Sequence, residues 1–260
     1  MKYYVVSDIH SYYDPLIHAL TKHGFFTDTV DHKLIICGDL FDRGKQTKQL
    51  QTFILELLEK DEVILIKGNH EDLLLDLINH WNNNLWAAPY NITNGTTSTI
   101  MQLTNSTYDD LDVNTNQVLA KLKKTPTLQR IIPSMINYYE TQNYIFVHGW
   151  IPCHTSKYGL NNHHYTYNPN WRNATKLQWD QARWINGMDA WANLVKEDNK
   201  TIVCGHWHAS YGHKRFHANG DEFGETAQFT PFIDKGIIAL DACCAYSDTI
   251  NCIVINDNNC

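Results

Sequence analysis

Apolar residues along this chain come in short runs, and each run stops at a polar turn. Tyr3–Val6, Leu34–Cys37, Val63–Ile66, Tyr144–Val147 and Thr201–Cys204 are rich in β-branched, aromatic and aliphatic side chains. They are too short for helices and are bounded by turn-forming residues, which is the pattern of buried strands. Ile237–Leu240 and Ile250–Ile255 predict two more. Between the first three runs lie amphipathic patterns. Asp14–His23 carries Leu16, Ile17, Ala19 and Leu20, and Thr47–Lys60 carries Leu50, Phe53, Ile54, Leu57 and Leu58, at helical spacing. The order β-α-β-α-β predicts an α/β fold with right-handed crossovers and a largely parallel sheet. Such folds place their sites in the loops at the carboxyl ends of the strands.

Residues 81–130 break this rhythm. They are rich in Asn and Thr with mixed helical patterns, and read as an insertion or cap packed near a site. The whole of 1–260 is therefore expected to be one domain. A second irregular stretch, 153–180, holds His163, His164 and Trp171.

The polar turns after the apolar runs hold the candidate chemistry. The run ending at Cys37 enters GDLFDRG (38–44), two carboxylates and an arginine between glycine hinges. The others enter groups able to bind a metal: Asp8 and His10, Asn69 and His70, His148, then His206 and His208. Each alone has a structural explanation. Asp8 can cap a turn, Asn69 can hold a left-handed one, and a histidine before glycine is often a satisfied core residue. Their recurrence at the same end of five strands points to one shared site. Imidazole mixed with carboxylate suits Mn²⁺, Fe or Zn²⁺ better than Ca²⁺ or an all-oxygen Mg²⁺ site. Two ions side by side need a bridging ligand, and Asp39 is the candidate. Asp8 and His10, two residues apart on an extended segment, share a face and one ion. Asn69, His148 and His206 would hold the other.

Composition narrows the classes. Hydrophobic content of 43% with 19% charged residues is that of a globular protein. The formal net charge of −7, without a basic block, argues against nucleic acid as a partner. No stretch is apolar for the length of a membrane span. The start, MKYYVVSDIH, turns polar too soon for a secretory signal. Seven cysteines without regular spacing or a CxxC pair suit a reducing compartment, so a cytoplasmic location is expected. Oligomeric state is not legible.

The ordered set Asp8-Ile-His10, GDLFDRG (38–44), Gly68-Asn-His-Glu71, His148-Gly149 and Gly205-His206 resembles the motifs of the calcineurin-like metallophosphoesterases. GDLFDRG with Gly-Asn-His-Glu resembles one branch, the phosphoprotein phosphatases and their bacterial and phage relatives, which includes the symmetrical diadenosine tetraphosphatases. The resemblance spans residues 8–206. It implies two facing mixed β-sheets flanked by helices, and a dinuclear centre. Asp8, His10 and Asp39 would hold the first ion, and Asp39, Asn69, His148 and His206 the second, with manganese the leading metal and iron or zinc alternatives. There are departures. Ser11 stands where the family usually has glycine, and His208 follows His206 by two residues. In the wider superfamily that second histidine binds the first metal, so His208 is a candidate ligand, with a supporting or surface role as the alternative.

The implied reaction is direct in-line hydrolysis of a phosphate ester by hydroxide bridging two metals. His70 is the candidate general acid, oriented and kept protonated by Asp42. Arg43 suits bidentate phosphate binding. A second arginine is expected between His148 and His206, with Arg183 preferred over Arg172. Phosphorylated proteins or peptides are the leading substrates, with dinucleoside polyphosphates the alternative. A non-catalytic metal-binding protein is the third reading.

Overall fold

In the computed structural model, which describes residues 1–81, 84–158 and 162–257, two β-sheets face each other. The first has the order β11-β1-β2-β3, formed by Ile253–Asn256, Lys2–Val6, His32–Cys37 and Val63–Ile66. Its strands β1, β2 and β3 run parallel, and β11 is antiparallel to β1. The second has the order β4-β5-β8-β10-β9, formed by Tyr139–Glu140, Tyr144–Phe146, Thr201–Cys204, Ile237–Ala239 and Phe232–Asp234. Here β5, β8 and β10 are parallel, with antiparallel β4 and β9 at the edges. A separate hairpin pairs β6 (His154–Tyr158) with β7 (Asn162–Thr166).

The strands are apolar on both faces because both faces are covered. In β1, Tyr3 and Val5 point into the seam between the sheets, while Tyr4 and Val6 point to the helices outside. In β2, Ile35 and Cys37 take the seam, and Leu34 and Ile36 the outer side. Phe146, Val203 and Leu240 complete the seam from the second sheet. Helices α1 (Tyr13–Lys22) and α2 (Thr47–Glu59) bury Leu16, Leu20, Leu50, Ile54 and Leu57 against the first sheet. These two helices and seven strands match the sequence expectation within a residue or so, except that β11 starts three residues later than the apolar run. The sheets are mixed, as the family resemblance implies, rather than largely parallel as the β-α-β order alone suggests: β11 and the short edge strands β4 and β9 add antiparallel neighbours.

Helix α3 (Asn69–Asn79) begins directly after β3. The Asn/Thr-rich region is helical: α4 (Pro89–Asn94), α5 (Thr96–Thr104), and helices at Tyr108–Val113 and Thr115–Lys123. It has its own apolar cluster, in which Ile100, Leu103, Leu111, Val118 and Leu122 pack on Leu74, Leu77 and Trp81 from α3 and the residues just after it. This anchors the region on the helix that carries Asn69 and His70. Among the described residues no helix is long and apolar enough to cross a membrane.

Candidate metal centre

The carboxyl ends of β1, β2, β3, β5, β8 and β10 converge at one end of the sandwich. The loops after β1 and β2 are laced together: Asp8 N–H donates to Gly38 O (3.1 Å), His10 N–H to Asp39 O (3.0 Å), Ser11 N–H to Leu40 O (2.8 Å) and Gly44 N–H to His10 O (2.9 Å). This network holds an unfavourable backbone in place. Asp8, His10, Ser11, Asp39, Asp42, Arg43 and His206 all have φ between 49° and 76°. Left-handed conformations in non-glycine residues cost about 1–2 kcal/mol each, less for Asp, and they cluster at this one place. Ser11, with φ 60°, shows why glycine would be favoured at its position.

Two triads of donors share Asp39: His10, Asp39 and His70 form one, and Asp39, His148 and His206 the other, with the donor atoms in each lying within 4.8 Å of one another. Asp39 Oδ2 is 3.7 Å from His10 Nε2, and Oδ1 is 3.4 Å from His148 Nε2. His10 Nδ1 lies 2.9 Å from Phe41 O, and His148 Nδ1 2.8 Å from Cys37 O. A carbonyl can only accept, so both rings donate through Nδ1 and turn the Nε2 lone pair toward Asp39. That leaves the His148 Nε2 lone pair 2.7 Å from Asn69 Oδ1, two acceptors facing each other, which a cation would reconcile. Burial lowers the pKa of His10, His148 and His206, the last to about 3, so all three rings are neutral donors at neutral pH. Burial, then the charges of Asp241 and Asp39, raise Asp8 well above its ordinary range. A buried cluster of neutral imidazoles and crowded carboxylates fits divalent cations by its donor chemistry.

Asp8 lies against the second triad but belongs to neither, and its carboxylate accepts from His206 N–H at 3.0 Å. His208 lines the adjoining cavity, outside both triads, with Nε2 bonded to Glu222 Oε1 at 2.8 Å. His70 has three close neighbours: Nδ1 is 2.8 Å from Asp42 Oδ2, and Nε2 is 3.4 Å from Arg43 Nη2 and 3.9 Å from Asp39 Oδ2. Burial alone would lower the His70 pKa, but the charge of Asp39 and the hydrogen bond to Asp42 outweigh it, and the net shift is upward. Asp42 is held by α5. Thr96 and Thr99 hydroxyls each donate to its carboxylate at 2.7 Å. Glu71 takes no part in the pocket. It accepts from Gly68, Leu40 and Asp39 N–H groups and ties the loops together.

A cavity of about 250 Å³ opens over the triads, lined by Asp39, Arg43, Asn69, His70, His206 and Asp241 among others. Among the described residues, Arg43 is the only Lys or Arg lining it. Arg183 is elsewhere: its guanidinium is buried among Asp72 (2.6 Å), Asn137 (3.0 Å) and Asp180. Arg172 is bound to Glu140 and Glu197 and stacks on Trp171. Neither arginine expected from its chain position meets this cavity, because each neutralises acids on its own side of the fold.

The family model described as calcineurin-like phosphoesterase matches residues 1–229. The chain belongs to this family. It is 40% identical over 83 residues to serine/threonine-protein phosphatase 2 of Salmonella typhimurium, over 32% of this chain and 35% of the relative. It is 34% identical over 76 residues to the asymmetrical bis(5'-nucleosyl)-tetraphosphatase of Bacillus velezensis, over 27% of this chain and 30% of the relative. These matches thus span about a third of each relative's length. Among solved structures, a cold-active protein tyrosine phosphatase superposes with a TM-score of 0.55 at 17% identity, over 98% of this chain and 73% of the other. The protein-tyrosine phosphatase of a psychrophilic Shewanella gives 0.52 at 17% identity, over 99% and 76%. At such identities the likeness is one of fold.

Three features of this phosphoesterase site lie outside the sequence motifs. Asp241 is buried, lines the cavity and raises Asp8. A signal for it exists, since the run Ile237–Leu240 leads directly into it, as the other runs lead into donors. Thr96 and Thr99 sit in a polar insertion with no motif to mark them. Cys243 also lines the cavity, but burial and then Asp241 push its thiol up to about 11, which leaves no thiolate nucleophile at neutral pH.

Proposed function

We propose that the chain is a metal-dependent phosphoric ester hydrolase acting on phosphomonoesters, with phosphoserine and phosphothreonine proteins as leading substrates. The observation that carries this is Asp39 placed between His10 on one side and His148 and His206 on the other, with His70, oriented by Asp42, facing the same cavity. Asp8, His10 and Asp39 would hold one divalent cation and Asp39, Asn69, His148 and His206 the other. When bound, such a pair supplies positive charge opposite the phosphoryl oxygens and an acidified water as nucleophile, with manganese the leading metal.

The chain's own groups do the rest. Arg43 lies on the cavity wall and suits two phosphoryl oxygens at once. Asp42 accepts from His70 Nδ1–H, fixing the ring and favouring its charged form, so that Nε2 carries a proton toward the leaving oxygen. The protonated Cys243 offers no covalent alternative, which favours direct hydrolysis. A single arginine suits a monoester better than the chain of charges on a dinucleoside polyphosphate, the second reading, which rests on the Bacillus relative.

Turnover of p-nitrophenyl phosphate by protein loaded with Mn²⁺, Fe²⁺ or Zn²⁺, lost in His70→Asn and Asp39→Asn, tests the hydrolase assignment. No turnover with any of these ions sinks it. Parallel assays with a phosphoserine peptide and diadenosine tetraphosphate decide between the substrates.

A further inference from the structure

Next to the metal cavity lies a larger cleft of about 860 Å³, and Trp184 and Trp207 line both. The two indoles form the wall between them. Each sits close to His206, a donor of the second triad, with ring centroids 5.9 Å and 6.1 Å away. Both remain open to solvent, at 48% and 36%. Adjoining exposed aromatics at a cavity mouth are the kind of apolar surface that marks a binding site. The remaining walls include Tyr165, Tyr211, Gln181 and Asp189, and among the described residues no Lys or Arg lines the cleft. Tyr211 Oη donates to the Asp189 carboxylate at 2.8 Å, and Arg215 Nε lies 3.4 Å from the same carboxylate, so the acid on that wall is already paired.

This arrangement constrains what leaves the phosphorus. In a monoester the leaving group begins one bond beyond the phosphoryl oxygen. A group departing from above His206 meets the two indoles at once. A serine methylene offers them almost nothing. A ring esterified directly to the phosphate can stack on them, a contact worth from a few-fold to about tenfold in affinity. The cleft beyond has the size of a ligand site and holds amide side chains that can pair with a peptide backbone. A further run of phosphates would find Arg215 already engaged by Asp189 and, among the described residues, no Lys or Arg on the cleft wall.

We propose that this cleft is a leaving-group subsite that extends the range of the site to aryl phosphomonoesters such as phosphotyrosine within a peptide, with Trp184 and Trp207 as the residues that select the ring. The proposal rests on the phosphomonoesterase reading for its chemistry, while the aromatic subsite itself requires no metal.

Two measurements separate these parts. In the first, metal-loaded protein is assayed on two peptides of identical flanks, one with phosphotyrosine and one with phosphoserine. Trp184→Ala and Trp207→Ala are expected to lower kcat/KM on the phosphotyrosine peptide by about five- to tenfold. They should change the phosphoserine value by less than about twofold. Trp184→Phe should retain most of the phosphotyrosine activity. Equal losses on both peptides, or no loss on either, overturn the subsite. In the second, p-nitrophenol, which carries the ring without the phosphate, is titrated into metal-free protein while tryptophan fluorescence is followed. Saturable quenching weakened by either alanine substitution is the expected result. Quenching indifferent to both substitutions overturns the subsite whatever the activity. Absence of turnover with intact ring binding counts against the hydrolase reading alone.

Discussion

His70 Nδ1 lies 2.8 Å from Asp42 Oδ2, and two threonines of a separate helix hold the same carboxylate from its other sides. The pair is thus positioned by α5 as much as by the loop that carries Asp42. Thr99→Val removes a donor to a buried charge and should cost about 1–3 kcal/mol of stability. It should also lower kcat by about tenfold while leaving metal content unchanged. Thr99→Ser, which restores the hydroxyl, should recover most of both. Direct removal of the acid in His70→Asn should cost about 10²–10⁴-fold in kcat on a substrate with a poor leaving group. Thermal unfolding, metal analysis and steady-state kinetics on the same samples check all three.

Asp8, Asp39 and Asp241 crowd the centre, and burial followed by the charges of Asp241 and Asp39 already raises Asp8. In metal-free protein Asp8→Asn relieves this repulsion and should raise the unfolding temperature. In metal-loaded protein the same change should lower it, because a ligand is lost. Cation binding at a concentration a hundredfold above its Kd adds about 2.7 kcal/mol to the native state. Opposite signs with and without chelator are the outcome to look for in calorimetry.

A Cβ at Gly68 would lie 2.0 Å from Asp39 Oδ1 and 2.4 Å from Asp39 N. The clash is with the shared donor and its backbone. Gly68→Ala should therefore destabilise by about 2–3 kcal/mol and release metal. Dialysis against a metal buffer followed by elemental analysis shows whether occupancy falls.

Arg43 and Arg183 should fail in different ways. Arg43→Ala should raise the inhibition constant for inorganic phosphate about tenfold or more with little change in stability. Arg183→Ala removes a buried guanidinium from Asp72 and Asp180, which keep Lys67 and Lys176, and should cost about 1–3 kcal/mol in unfolding free energy. Its effect on phosphate inhibition should be small. Phosphate inhibition and denaturant unfolding distinguish the two.

Arg172 joins Glu140 and Glu197. Burial would raise the Glu197 carboxyl, but hydrogen bonds from Tyr167, Trp171 and Arg172 outweigh it and hold it below the ordinary value of 4.5. A folded-state pKa below the unfolded one gives stability that is present above about pH 4.5 and is lost as pH falls through the folded value. Glu197→Gln should therefore unfold at a lower temperature than the parent at neutral pH, and the gap should close in acid. A gap that stays constant with pH contradicts the assignment.

The strands that carry donors are readable because each combines two independent signals, an apolar run and a polar group at its end. Asp39, Asn69 and His148 fall where such runs predict them. Edge strands β4 and β9 are not readable, since Tyr139–Glu140 and Phe232–Asp234 are too short to show alternation. The hairpin β6–β7 reads HTSKY and NHHYT, with no apolar run to mark either strand. Distance along the chain to His206 favours Arg183 for the cavity, yet that distance says nothing about which way a side chain turns. Asp72, close behind the motif that carries Asn69, draws it away. The role of Thr96 and Thr99 depends on α5 docking against the Asp42 loop, a long-range contact that no local pattern encodes.

Asp8 and the backbone of His206 meet across 198 residues of chain. A ribosome delivering residues in order at about 5–20 per second exposes the first donors roughly ten to forty seconds before the last one emerges. During that interval the nascent chain holds half a coordination sphere, and the edge of β1 that β11 later covers is open. Productive metal capture therefore waits until both sheets have been made. Whatever shields the half-built sheet during synthesis protects the chain against mispairing as well as against the wrong ion.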